Sequence, residues 1–325
     1  MGKRAVTLLC VSLSVAMLMN AGTLGIVFAT DNPSQPAIPP QLLDFISSLP
    51  RGSPGCVSGN VQPFTITSTK CEDSAQTSVQ NQYTLNCSTN CKSGVVSSAT
   101  SPAFVSWQST VTAPSNPSKS YSYPTSVSYW VGLQNCLDPI VSCNGNNAYL
   151  IQAGFWWGAN PGGGSSSPLL FEEFISPSGT CHTTFCGTHA LAMVAGHTLF
   201  LSVNYFYYGQ YWTAFAEDTT TGQYADYFVY YGTGTYQIPY KSLPVALSSN
   251  EGHGATTSSY YPPGTFTFGQ EYGDGYNAVC CQIGSQTPFG LPLGTAPTST
   301  VTYTTYSCNI GGTQTTCQTT SVKMS

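Results

Sequence analysis

The sequence predicts an all-β protein, an antiparallel β-sandwich, and three observations carry that expectation. From Cys56 onward the chain runs in short alternating stretches broken by Gly, Pro, Ser and Thr, the period-two pattern of half-buried strands. No window holds a sustained helical period with caps. Residues 196–231 show the clearest pattern. Leu199 to Tyr207 alternates as a strand, Gly209-Gln210 turns it, and Tyr211 to Glu217 returns. Thr219 to Gly222 then turns the chain again before Tyr224 to Tyr231. Such a meander buries one face, so sheets in a chain of this size pair face to face.

Three regions follow in order. Residues 1–29 open with Lys3 and Arg4, continue through an apolar run from Ala5 to Met19, and end with Val27 and Ala29 at small-residue positions. That is the pattern of a secretory leader cut near Ala29, which makes the mature chain secreted or cell-surface. The alternative is an uncleaved anchor, since Ala5 to Ala29 is long enough to span a bilayer; Asn20, Gly22 and Gly25 dilute the run. No later segment is apolar enough to span. Residues 30–54 are rich in Pro and Ser around Leu42-Leu43-Asp44-Phe45-Ile46, which suits a linker, a short propeptide or a docking arm. Residues 55–325 form the sandwich domain. In it a strand ends at Val111-Thr-Ala-Pro114, a polar loop runs to Ser126, Thr265 to Phe268 is a strand, and Thr298 to Thr320 forms a Ser/Thr-rich hairpin.

Charge narrows the function classes. Only 6% of the 325 residues are charged, against roughly 25% in ordinary soluble domains. Eight Lys and Arg against 13 Asp and Glu argue against a nucleic-acid partner. With so few carboxylates paired to bases, acid would break few ion pairs and add little self-repulsion. The 21 tyrosines fill half-buried pleats with an apolar ring and a wet hydroxyl; a carbohydrate-binding sandwich would rest on these aromatics alone.

The chain has 13 cysteines, and losing Cys10 with the leader leaves an even number, as an exported disulfide framework would. Cys136/Cys143, Cys181/Cys186 and Cys308/Cys317 are close in sequence and are candidate bridges, while adjacent Cys280 and Cys281 suit separate partners. Cys181, His182, Cys186 and His189 superficially offer zinc ligands. The second cysteine pair of a structural zinc site is missing, and export favours a disulfide. Pro161-Gly-Gly-Gly164 lacks the Lys-Ser/Thr of a phosphate loop. No metal or cofactor is expected.

Three pieces of sequence resemble the glutamic peptidases (eqolisins). Trp107-Gln-Ser-Thr-Val111-Thr-Ala-Pro114, followed by Trp130-Val131-Gly132-Leu133, is similar to the family's Trp-x-Val-Pro and Trp-Val-Gly-Ile segments. Leu150-Ile151-Gln152-Ala153-Gly154 resembles the strand that holds its catalytic glutamine, and Phe171-Glu172-Glu173-Phe174 its aromatic-acidic strand. Ala195-Gly196-His197-Thr198 to Val203, with Ala214 to Gly222, is similar to its Gly-Asp strand and Asn-x-Thr-x-Gly hairpin. The resemblance implies a sandwich of the concanavalin-like or jelly-roll type. It also implies an acid endopeptidase in which a glutamate and a glutamine activate water. Gln152 would be the amide and Glu251 the carboxylate, the one acid in Leu243 to Glu251, with Trp156 and Glu173 lining a cleft. Strand alternation lets only one of Glu172 and Glu173 face that cleft.

In such chemistry the carboxylate takes a proton from water and the amide donates to the oxyanion, so neither a serine triad nor a metal is needed. The substrate would be a polypeptide. The alternative is a catalytically inactive sandwich, partnered with neighbouring surface proteins as an adhesion or filament subunit.

Overall fold

The computed structural model describes residues 77–99, 103–135, 149–158, 168–176, 179–180, 192–206, 211–230, 243–273, 283–310 and 313–325. Fifteen strands run through them: β1 Thr77–Leu85, β2 Asn90–Ala99, β3 Ser106–Thr112, β4 Ser126–Gln134, β5 Leu150–Gly158, β6 Leu169–Ser176, β7 Gly179–Thr180, β8 Thr198–Phe206, β9 Tyr211–Asp218, β10 Gln223–Tyr230, β11 Val245–His253, β12 Thr265–Tyr272, β13 Ile283–Leu291, β14 Leu293–Ile310 and β15 Thr313–Met324. One turn of 3-10 helix, Ser258–Tyr260, is the only helical element among the described residues. None of these residues forms a helix long and apolar enough to cross a membrane.

The strands form two antiparallel sheets. One has the order β1-β14-β15-β12-β3-β8-β9-β10, the other β13-β2-β11-β4-β5-β6-β7. The expected meander is β8-β9-β10, with Leu201 opposite Ala216 and Ala225 opposite Ala216. The expected Thr298 to Thr320 hairpin is β14-β15, longer at both ends and paired from Ser299↔Met324 to Ile310↔Thr313.

Alternation puts every second side chain between the sheets. Tyr129, Phe155 and Trp157 of the seven-stranded sheet are fully or almost fully buried. Across the gap, Phe266 of β12 lies 4.5 Å from Tyr129 and 5.3 Å from Phe155, ring centre to ring centre. Edge and tilted contacts of this kind add to the area that the rings remove from water.

Toward β2 and β11 the layer between the sheets turns polar. Ser97 donates to Gln318 at 2.9 Å, Trp107 Nε1 donates to Ser248 at 3.3 Å, and Ser93 and Ser299 share a bond at 2.6 Å. Ser93 also donates to Asn250.

One strand corrects the sequence reading. Ser248-Ser-Asn-Glu251-Gly reads as a turn-like run with Glu251 at a strand end. Here those residues lie within β11, Glu251 being paired with both Lys92 and Ser128. Ser and Asn are poor strand formers by propensity. A central strand is decided by its neighbours instead, and here Ser93, a strand away, bonds both Ser249 and Asn250.

Residues 1–76, including the expected leader and the 30–54 segment, lie outside the described residues. So do Cys136, Cys143, Cys181, His182, Cys186, His189, Cys280 and Cys281, and the Cys308 side chain. A disulfide that the short-spacing argument did not single out joins Cys87 to Cys91 across the β1–β2 turn. Cys317 is also disulfide-bonded.

Candidate functional site

The seven-stranded sheet has a second buried face, turned away from its partner sheet. Val96, Trp130, Leu150, Trp156, Phe171, Val245, Leu247 and Phe289 pack there as one apolar cluster. Position parity places Lys92, Glu251, Gln152 and Glu173 on the same face. An apolar surface with four ionisable or amide side chains set into it is where chemistry is to be sought.

Gln152 and Glu173 are direct cross-strand neighbours on β5 and β6, and the Gln152 amide nitrogen donates to Glu173 Oε2. Of the two adjacent acids, Glu173 therefore takes the outer face, while Glu172 is fully buried on the core side beside Leu170. Burial pushes Glu173 up to about 7, and the negative charge of Glu251 pushes the same way. The Gln152 bond and the Lys92 ammonium oppose it. Gln152 is itself buried, and its Oε1 has no hydrogen-bond partner among the described residues.

The sequence pairs Gln152 with Glu251, and the structure shows a different bond. Across Gly132, the β11 residue in line with Gln152 is Leu247. Glu251 stands four residues further along β11, about 13 Å by strand rise, in the row of Ser128 and Trp156. Its Oε2 lies 3.3 Å from Lys92 Nζ. The closest carboxylate–amide contact on this face thus belongs to Glu173. Glu251 acts on that pair through its field.

Two further side chains complete the site, and sequence reasoning gave neither a role. Lys92 Nζ sits 5.4 Å from the Trp130 ring centre, close enough for a cation–π contact. Trp130 is fully buried, and its Nε1 has no hydrogen-bond partner among the described residues. Lys92 lies on the face that period-two alternation assigns from Val96 back through Gly94, but that signal appears only once β2 is known to neighbour β11. Trp156 lies on this face, its indole packed over Gly158, where any Cβ would overlap it.

Gly132 and Gly154 leave room for this arrangement. A Cβ on Gly132 would stand 2.7 Å from the Ile151 carbonyl oxygen and 3.0 Å from the Gln152 Cβ, and one on Gly154 would overlap the Tyr129 carbonyl oxygen. Among the described residues no group of three His, Cys, Asp or Glu side chains is placed to hold a metal ion.

No protein-family model matches the chain, and no curated protein matches it in sequence. Among solved structures it is similar to scytalido-glutamic peptidase bound to a peptide-based transition-state analogue. The identity is 13% and the TM-score 0.36, over 73% of this chain and 98% of the other. SCP-B, a member of the eqolisin family in complex with the tripeptide Ala-Ile-His, matches at 13% identity and TM-score 0.35 over the same shares. Basic winged bean lectin with Tn-antigen matches at 7% identity and TM-score 0.31, over 76% of this chain and 99% of the lectin.

Proposed function

We infer that the chain is a secreted endopeptidase that hydrolyses polypeptides in acid, with Gln152, Glu173 and Glu251 as its working groups. The observation that carries this reading is a pair of glutamates unlike in environment on one apolar face, with an amide fixed to one of them. Glu173 holds its proton up to about 7, while the Glu251 carboxylate is ion-paired with Lys92. A buried carboxyl group that keeps its proton, set on the same face as a carboxylate paired to a lysine, supplies an acid and a base.

In the proposed step the Glu251 carboxylate, four residues along the sheet from the Gln152 row, takes up a proton relayed through bridging water as a water oxygen attacks the peptide carbonyl carbon. The amide of Gln152 has one N–H committed to Glu173, and its second N–H meets the developing oxyanion. Glu173 delivers its proton to the leaving nitrogen, and the C–N bond breaks. The products are a carboxylic acid and an amine. Solvent returns the proton to Glu173 and removes the one on Glu251.

One observation favours the inactive-sandwich reading instead. Leu247, not an acid, stands in line with Gln152 across Gly132. The deciding experiment incubates purified mature protein with denatured protein substrate from pH 2 to 8, beside Gln152→Ala and Glu251→Gln. Cleavage that falls at least about 100-fold in both variants, the usual weight of an acid–base group, supports the peptidase. A folded wild type that cleaves nothing leaves the inactive sandwich.

A further inference from the structure

The chain holds one Asn-x-Ser/Thr tripeptide without proline at its centre, Asn86-Cys87-Ser88. Asn86 and Ser88 are both exposed, while Cys87 between them is fully buried. The turn is fixed from beneath. Cys87 is bonded to Cys91, and the Tyr261 hydroxyl lies 3.4 Å from one sulfur and 3.5 Å from the other. The Asn86 backbone N–H donates to Pro292 at 2.8 Å.

On this fixed turn the Asn86 carboxamide is oriented by Ser88. Its Oδ1 accepts from the Ser88 hydroxyl at 2.7 Å and from the Ser88 backbone N–H at 3.3 Å. The amide nitrogen has no bond to any described residue. The tripeptide is the acceptor pattern for N-glycosylation in an exported chain, and both of its polar residues stand at the surface, where a bulky sugar has room.

We propose that Asn86 is a glycosylation site that takes an oligosaccharide from a lipid-phosphate-linked donor during export. The Asn86 Nδ2 attacks the anomeric carbon of the first sugar, a C–N bond forms, and the bond from that carbon to the donor phosphate breaks. The lipid phosphate leaves with the bonding pair, and the nitrogen loses one proton to a base of the transferase. No oxidant or reductant is involved. The proposal rests on export and not on peptidase activity. The sugar would stand at the β1–β2 turn, at the end of β2 that carries Lys92, with its bulk directed to solvent.

The test isolates the chain from the surface or medium of its own cells and reduces, alkylates and digests it with trypsin. The peptide ending at Lys92 is then read by mass spectrometry. The expected result is a hexose- or N-acetylhexosamine-containing mass on Asn86. That mass should be lost at least tenfold in Asn86→Gln and in Ser88→Ala and retained in Ser88→Thr, with near-UV spectra confirming that each variant folds. An unmodified Asn86 in the exported wild type overturns the proposal. Sugar that persists in Asn86→Gln also overturns it, by placing the modification on a hydroxyl.

Discussion

Glu271 of β12 and Gln318 of β15 are cross-strand partners, with the Gln318 amide nitrogen 3.3 Å from Glu271 Oε2. This repeats on one sheet the pairing that Glu173 and Gln152 make on the other. The environments differ. Glu271 is sealed between the sheets, while Glu173 stands on the outer face of its own. Burial pushes Glu271 up to about 7 against hydrogen bonds from Ser248, Thr320 and Gln318 that pull it down.

The fold should therefore be more stable in acid than above neutrality. The folded-state value of about 7 exceeds the ordinary 4.5, so between these two the folded chain keeps a proton that the unfolded chain has lost. The Glu271 contribution is complete below about pH 4.5 and disappears as pH rises through 7. It amounts to about 3 kcal/mol at 1.36 kcal/mol per unit. Denaturant unfolding at pH 4 and pH 8 measures it, and Glu271→Gln should reduce the difference, leaving the part that Glu173, also raised to about 7, contributes with the same sign. A wild type that gains stability from pH 4 to pH 8 would contradict the assignment.

Titration of Glu173 should respond in opposite directions to its two charged neighbours. Glu251→Gln removes a negative charge that raises it and should lower its midpoint. Lys92→Met removes a positive charge that lowers it and should raise the midpoint. The carboxyl stretching band followed by infrared spectroscopy against pH reports both. Shifts of the same sign would mean that the two side chains do not act through their charges.

If Glu173 is the proton donor, cleavage of denatured protein should decline as pH climbs past about 7. Glu173→Gln keeps the size of the side chain but removes its proton, and should cost about 100- to 10,000-fold in kcat. A profile that instead rises through neutrality would make Glu173 the base.

Gly154→Ala should destabilise the fold by about 1–3 kcal/mol or more, because the new methyl meets the Tyr129 carbonyl on a neighbouring strand that cannot give way. Gly264→Ala is the control. Beyond its chain neighbours no atom lies within 4 Å of an added Cβ, and its φ of +87° leaves only backbone strain, about 1–2 kcal/mol. Unfolding midpoints of the two variants compare a steric cost with a conformational one.

Thiol titration of the exported chain, denatured without reductant, should find no free cysteine: cleavage near Ala29 would leave twelve of the 13, and Cys87, Cys91 and Cys317 are bonded. Two or more reactive thiols would refute this.

Period-two alternation carried the fold a long way. The β8-β9-β10 meander and the Thr265 strand are legible because Val, Tyr, Phe and Leu alternate there with small polar residues and the turns hold Gly and Thr. The Ser-Ser-Asn run of β11 is not legible, because its strand character comes from β2 and β4 on either side. Resemblance in sequence brought Gln152 and Glu173 to the same region. The bond between them depends on the register of β5 against β6, which no local pattern states. Lys92 lies sixty residues before Gln152, and only the sheet order brings it near.

The hydroxyl and amide bonds between the sheets act as an index pin. Apolar side chains tolerate a small slide of one sheet over the other, since one methyl contact replaces another. Ser97 with Gln318, Ser93 with Ser299 and Trp107 with Ser248 have no second position in which all three bonds can close. Sliding by one residue would strand every one of these groups in a dry gap, at about 1–3 kcal/mol each. The outer face that carries Gln152, Glu173 and Glu251 is thereby held in one position against the opposite sheet.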